Sequence, residues 1–197
     1  MIQYLFLYFA RFPKREGVKA MFTNGQSTLG AYQNLIDALD ALPDNPLLPE
    51  IDNYVYGQDF DELKMRVERL FGSWLYADYG EFQFYETGRG SIGCRQQVAV
   101  TVAEKVTDRA DMVERMIISD RMLHAINTLY AQLMADSDAG RTPWLDHKPV
   151  EEAQIVPFVA PELKSYGWTL LINAQATDSL GTNDLRRALR RQDNPIL

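Results

Sequence analysis

Residues 96–105, "QQVAVTVAEK", set Val98, Val100 and Val102 against Gln97, Ala99 and Thr101, the period of two expected of a half-buried strand. Just upstream, Phe82 and Phe84 alternate with Glu81 and Gln83. The Gly-rich segment 88–93 lies between the two runs, so the pair predicts a β-hairpin. The period then changes. From residue 108 to about 136 apolar positions recur at three and four: Val113, Met116, Ile117, Leu123, Ile126, Leu129, Tyr130 and Leu133. Asp108 or Asp111 can cap this helix, Asp111 and Glu114 have capping-box spacing, and Gly140 marks its end.

A second strand pair follows, "VEEAQIVPFVA" and "YGWTLLINAQATD". Trp168, Leu170, Ile172 and Ala174 point one way; Thr169, Asn173, Gln175 and Thr177 point the other. Pro157 has no N–H to give a ladder, which puts its strand at an edge or a bulge.

The first seventy residues are less regular. In "MIQYLFLYFARFPKR", Ile2, Tyr4, Phe6 and Tyr8 alternate with Gln3, Leu5 and Leu7, which predicts a core strand. The run is too short to span a bilayer, and its basic residues follow the apolar stretch instead of preceding it, unlike a signal peptide. Tyr32, Leu35, Ile36, Leu39 and Leu42 define a helix face, with Ser27 as cap and Pro43 as stop. A short strand is expected at 52–57. A second helix should begin at Asp59, paired with Glu62, carry Phe60, Leu63, Val67, Leu70 and Phe71 on one stripe, and end at Gly72.

The pattern therefore predicts an α+β fold. It is a mostly antiparallel sheet from two hairpins, covered by one long helix, with shorter N-terminal and C-terminal helices. Residues 1–180 read as one domain and 181–197 as a basic helical arm.

Composition changes this picture only at its margins. Of 197 residues, 46% are hydrophobic and 11% aromatic, enough for a core. The net charge of −7 argues against a broad phosphate-binding surface, so no nucleic-acid partner is expected. The arm departs from this balance: Arg186, Arg187, Arg190 and Arg191 against Asp184 and Asp193 make it +2, leaving −9 for the rest. It reads either as a solvated helix or as a segment that docks on the acidic body of a neighbouring copy.

Candidate chemistry is sparse. Gly88, Gly90 and Gly93 have the glycine spacing of a dinucleotide loop, but a strand follows them, so no helix N-terminus would meet a pyrophosphate. A hairpin tip accounts for the glycines. Asp120 and His124 lie one turn apart on the long helix and could serve acid–base chemistry; a boundary ion pair is the simpler reading. His147 beside Asp146 completes no ligand set. Cys94 precedes Arg95 but has no assignable histidine partner, and one cysteine makes no disulfide. No catalytic, cofactor-binding or metal-ligating residue is therefore assigned. The alternative is a cytosolic small-molecule or enzyme domain using the Gly88–Gly93 loop with Asp120 and His124.

The succession "GSWLYADYGEF", "QQVAVTVAEK", "SDRMLHAINTLYAQLMADS", "VPFVAPEL" and "YGWTLLIN" resembles, over roughly residues 73–178, the tail-terminator and head–tail joining proteins of tailed bacterial viruses and prophages. The likeness is one of element order and does not extend to residues 1–72 or to the arm. It implies a structural protein without an active site, working by contacts with copies of itself or with other tail or head proteins. The implied location is the bacterial cytoplasm or the virion, with no membrane partner. Contacts would fall on the four arginines and on the edge strand at Pro157.

Overall fold

In the computed structural model, residues 2–23, 27–58, 60–86, 92–142 and 153–176 are described. The chain opens with helices α1 (Ile2–Phe9), α2 (Arg15–Lys19) and α3 (Gly30–Asp40). Strand β1 (Asn53–Gly57), helix α4 (Phe60–Val67) and strand β2 (Ser73–Asp78) follow. Then come β3 (Phe82–Glu86), β4 (Ile92–Lys105), the long α5 (Met112–Asp138), β5 (Gln154–Ala160), a 3-10 turn at Pro161–Leu163 and β6 (Ser165–Ala176).

The six strands form one mixed sheet in the order β1-β2-β4-β6-β5. β1 and β2 are parallel, joined across α4; the remaining pairs are antiparallel. The 14-residue β4 is the spine. It pairs with β6 along nearly its whole length, and on its other side with β2 near one end and β3 near the other. Both expected hairpins are present, and β5 with Pro157 is an edge strand.

Side-chain alternation divides this sheet into two unequal faces. Leu75, Ala77, Val98, Val100, Val102, Leu170 and Ile172 point into the main core, beneath α1 and α5. Trp74, Tyr76 and Ala103 point the other way and are covered by Leu63 and Val67 of α4, with Leu163. Phe158 and Ala160 at the far end of β5 join this smaller core, while Gln154 of β5 and Leu171 and Asn173 of β6 are exposed.

The N-terminal segment is a helix, not the strand its alternation suggests. Leu5, Phe6, Tyr8 and Phe9 are buried together, while Ile2 and Tyr4 are exposed. A helix brings Leu5, Phe6 and Phe9 to one side, all buried, whereas alternation would send Phe6 to the face opposite Leu5 and Phe9. Side chains anchor it from two directions. The Tyr54 and Tyr56 hydroxyls donate to the Phe6 and Ile2 carbonyls at 3.0 and 2.6 Å, and the Tyr8 hydroxyl donates to Asp136 at 3.0 Å.

The long helix starts as expected. Asp111 accepts from the Glu114 N–H at 2.8 Å while the Glu114 carboxylate accepts from the Asp111 N–H at 3.2 Å. Its buried face is not the expected one over the first turns. Met122, Ala125, Ile126, Leu129 and Leu133 are fully buried, whereas Val113, Met116, Ile117 and Leu123 are exposed. The helix overhangs the sheet at its start, so three- and four-residue spacing there continues past the covered area. Leu129→Ala should accordingly cost about 2–5 kcal/mol, and Leu123→Ala under about 1 kcal/mol, in denaturant unfolding.

Two smaller expectations shift. Ser27 accepts from the Leu29 N–H at 3.1 Å just ahead of α3, whose N-cap is Leu29. Gly72 has the anticipated left-handed φ of +73°, but beyond the end of α4, where it admits the chain to β2. Phe71, assigned to the buried stripe, is 88% exposed. Asp59, the arginine arm and His147 lie outside the described residues. No described helix is long and apolar enough to cross a membrane.

Candidate functional site: an apolar helix shoulder beside an edge strand

The sequence-derived candidates do not converge. Gly93 is part of β4, where its partner across the ladder is Tyr85. The Tyr85 ring lies over it: a Cβ on Gly93 would sit 2.5 Å from the ring. Its glycine character thus serves ring packing within a strand; Gly88 and Gly90 lie outside the described residues. Cys94, next along β4, is buried, and Arg95 turns its guanidinium over the same Tyr85 ring at 5.9 Å.

Asp120 and His124 are exposed on α5 and line a shallow depression with Leu123, Asn127 and Ile155. Ile155 belongs to the row Ile155–Leu170–Val100. Gly93 is seven residues along β4 from Val100, about 23 Å at strand rise. The glycine segment's one described member and the Asp–His pair therefore belong to different ends of the molecule. Among the described residues no group of His, Cys, Asp and Glu could hold a metal ion.

What the fold does assemble is a surface. α5 runs along β6: Arg115 stacks on Tyr166 at 5.4 Å, and the Trp168 indole N–H donates to the Ser119 carbonyl at 2.8 Å. Over the same first turns Met112, Val113, Met116 and Ile117 stand out from the helix at 57–85% exposure. The neighbouring edge strand adds Pro157 and Val159, the latter opposite Tyr166 and 58% exposed. Five large apolar side chains, four of them on the first two turns of one helix, thus meet water beside the strand that closes the sheet.

Pro157 also fixes the kind of contact this edge can make. Lacking an N–H, it leaves a gap in the donors β5 could offer to an added strand. Side-chain packing suits such an edge better than continuation of the sheet.

The second sheet face carries a different feature, a cleft of about 350 Å³. It is lined by Asp78 from β2, Gln97 and Ala99 from β4, Leu171 and Asn173 from β6, and Gln154 from β5, with Glu81 at its rim. Asp78 accepts from the Gly80 N–H at 2.7 Å. Burial raises its carboxyl above the usual carboxylate range, and that hydrogen bond only partly offsets the effect. Sequence reasoning missed this cleft because its residues come from four strands, and only the strand register brings them together.

No protein-family model matches the chain, and neither a curated protein nor a solved structure does.

Proposed function

We propose that the chain is a non-enzymatic assembly protein of a phage or prophage particle, of the tail-terminator or head–tail joining type, acting through protein–protein contacts. The observation that carries this reading is the exposed apolar shoulder at the start of α5. Soluble monomers seldom leave contiguous apolar side chains of this size in water unless they are contact surfaces. The virus assignment draws on the resemblance in element order over residues 73–178.

The primary contact is the shoulder formed by Met112, Val113, Met116 and Ile117 with Pro157 and Val159, burying against a second copy or a tail or head protein. Arg186, Arg187, Arg190 and Arg191 supply a second, charged contact to acidic surface on a neighbour. Arginine–carboxylate pairs are charge-assisted and often bidentate, yet salt screens them when they lie at a rim.

Light scattering of the purified chain tests this, alone and mixed with proteins encoded beside it, at low and high salt. Association should appear in at least one mixture and weaken on loss of the arginines. It should be abolished by Met116→Asp combined with Ile117→Asp, a change that leaves the exposed helix folded. A monomer in every mixture would remove the reading.

A further inference from the structure

The opposite edge of the sheet is β1, and the two helices that flank it do not close over it. Val18 of α2 lies in the main core with Tyr54, while Leu63 and Val67 of α4 lie in the smaller core with Val55. The helices therefore approach β1 from opposite faces, and a cleft of about 460 Å³ remains between them. Both walls are held in place. Gly17 lets α2 lie against the chain entering β1, where a Cβ would run into the Asp52 carbonyl oxygen. Lys14 pairs with the Asp52 carboxylate at 2.6 Å beside it. Buried Leu63 and Val67 fix the α4 wall. Small-molecule sites are ordinarily preformed clefts of this size.

The cleft is apolar in depth and cationic at its mouth. Tyr54 and Val55 are buried beneath it, Met21 and Leu70 are half-buried on its sides, and Met65 is 60% exposed. Arg66 reaches across from α4: its Nε donates to Glu62 at 3.4 Å and its Nη1 to the Met21 sulfur at 3.7 Å. A thioether is a weak acceptor, so this end of the guanidinium has a poor partner where a carboxylate oxygen would serve better. Arg69, three residues on, is exposed and has no ion-pair partner among the described residues. Two arginines against Glu62 give the lining a net charge of +1.

We propose that this cleft binds a small apolar monocarboxylate, of the medium-chain fatty-acid kind. Its carboxylate lies on the Arg66 and Arg69 guanidiniums and its alkyl chain runs along Met21, Met65, Leu70 and Val55. A guanidinium matches a carboxylate in shape and charge, and a monoanion balances the +1 lining. Methionine walls adapt to an unbranched chain. The site stands apart from the assembly reading, since none of its residues belongs to the shoulder or to β5.

The test is an NMR titration of the full-length chain, labelled at its methionine methyls, with octanoate up to about 2 mM. Saturable shifts are expected at Met21 and Met65, and none at Met112 or Met116. Octan-1-ol, which has the chain without the charge, and acetate, which has the charge without the chain, should each bind at least about tenfold more weakly. Arg66→Gln combined with Arg69→Gln should weaken octanoate binding by at least about tenfold, while the methyl of the buried Met122 keeps its position and reports an intact fold. Octan-1-ol makes the same comparison in the unsubstituted chain. No saturable shift at Met21 and Met65, shifts confined to Met112 and Met116, equal affinity for octan-1-ol, or undiminished affinity in the arginine variant would each overturn the proposal.

Discussion

Trp74→Ala should melt roughly 10 °C below the unsubstituted chain, reflecting a loss of about 3–5 kcal/mol. Trp74 is fully buried and is the largest side chain in the smaller core, among Val55, Leu63, Val67, Ala103, Ala160 and Leu163. Phe158 meets its ring edge-on at 5.5 Å, and its indole N–H reaches the Ser165 hydroxyl at 3.4 Å. Truncation empties the space between α4 and the sheet, where Leu63 and Val67 pack. Trp74→Phe keeps most of the volume and should cost about 1–2 kcal/mol, because Ser165 still donates to the Leu163 carbonyl. Equal melting of both variants would show that the cavity does not set the cost. Thermal unfolding followed by near-ultraviolet circular dichroism measures it.

The second large effect belongs to Asp136. Its carboxylate is completely buried in the last turns of α5 and is surrounded by donors. The Arg11 guanidinium lies at 3.1 Å, Arg141 at 2.7 Å, the Tyr8 hydroxyl at 3.0 Å and the Gln132 amide at 2.8 Å. Burial pushes its pKa up, but hydrogen bonds from Arg141, Tyr8 and Gln132 and the charge of Arg11 together outweigh burial and hold it below the usual range. The Tyr8 hydroxyl moves the opposite way, raised by its own burial and then by the Asp136 charge. Asp136→Asn should therefore cost about 3 kcal/mol near neutral pH.

The pH dependence has a definite sign. A carboxylate whose folded pKa is depressed stabilises the fold fully above its unfolded pKa, about 4, and loses that contribution as pH falls through the lower folded value. The stability gap between the parent chain and Asp136→Asn should thus be constant from pH 5 to 7 and close below about pH 4. Urea unfolding at stepped pH measures it; a gap that persisted at pH 2 would mean that the charge is not its source.

Parts of this molecule were legible in the sequence for physical reasons that can be named. The start of α5 was readable because Asp111 and Glu114 satisfy each other's backbone donors locally. β3, β4, β5 and β6 were readable because each carries alternation with at least one solvated side. Pro157 announced an edge because its missing donor is a property of the residue itself. The N-terminal helix was not readable: in "IQYLFLYF" nearly every residue is apolar, so no period distinguishes strand from helix. The choice is made by distant partners, Tyr54, Tyr56 and Asp136.

The exposed shoulder was partly visible. Val113, Met116 and Ile117 were identified as apolar and helical but placed on the inner face. Spacing alone gives a stripe, and where the sheet stops beneath it is a tertiary fact. The Asp78 cleft had no local signal at all. Its polar residues are individually ordinary strand positions, and only the pairing of Asp78 with Ala99 and of Ala99 with Leu171 makes them neighbours.

The clasp between the N-terminal helix and Asp136 bears on how the chain is made. Tyr8 and Asp136 are 128 positions apart. At ribosomal rates of about 5–20 residues per second, α1 leaves the exit tunnel on the order of ten seconds before the helix that shelters it. During that interval Tyr8 and Arg11 have no Asp136 to bond, and the buried side chains around them lack part of their cover. Co-translational folding can settle α5 onto β4 and β6 only late, when most of the body has been synthesised, so the N-terminal helix gains this anchor among the last contacts of the fold.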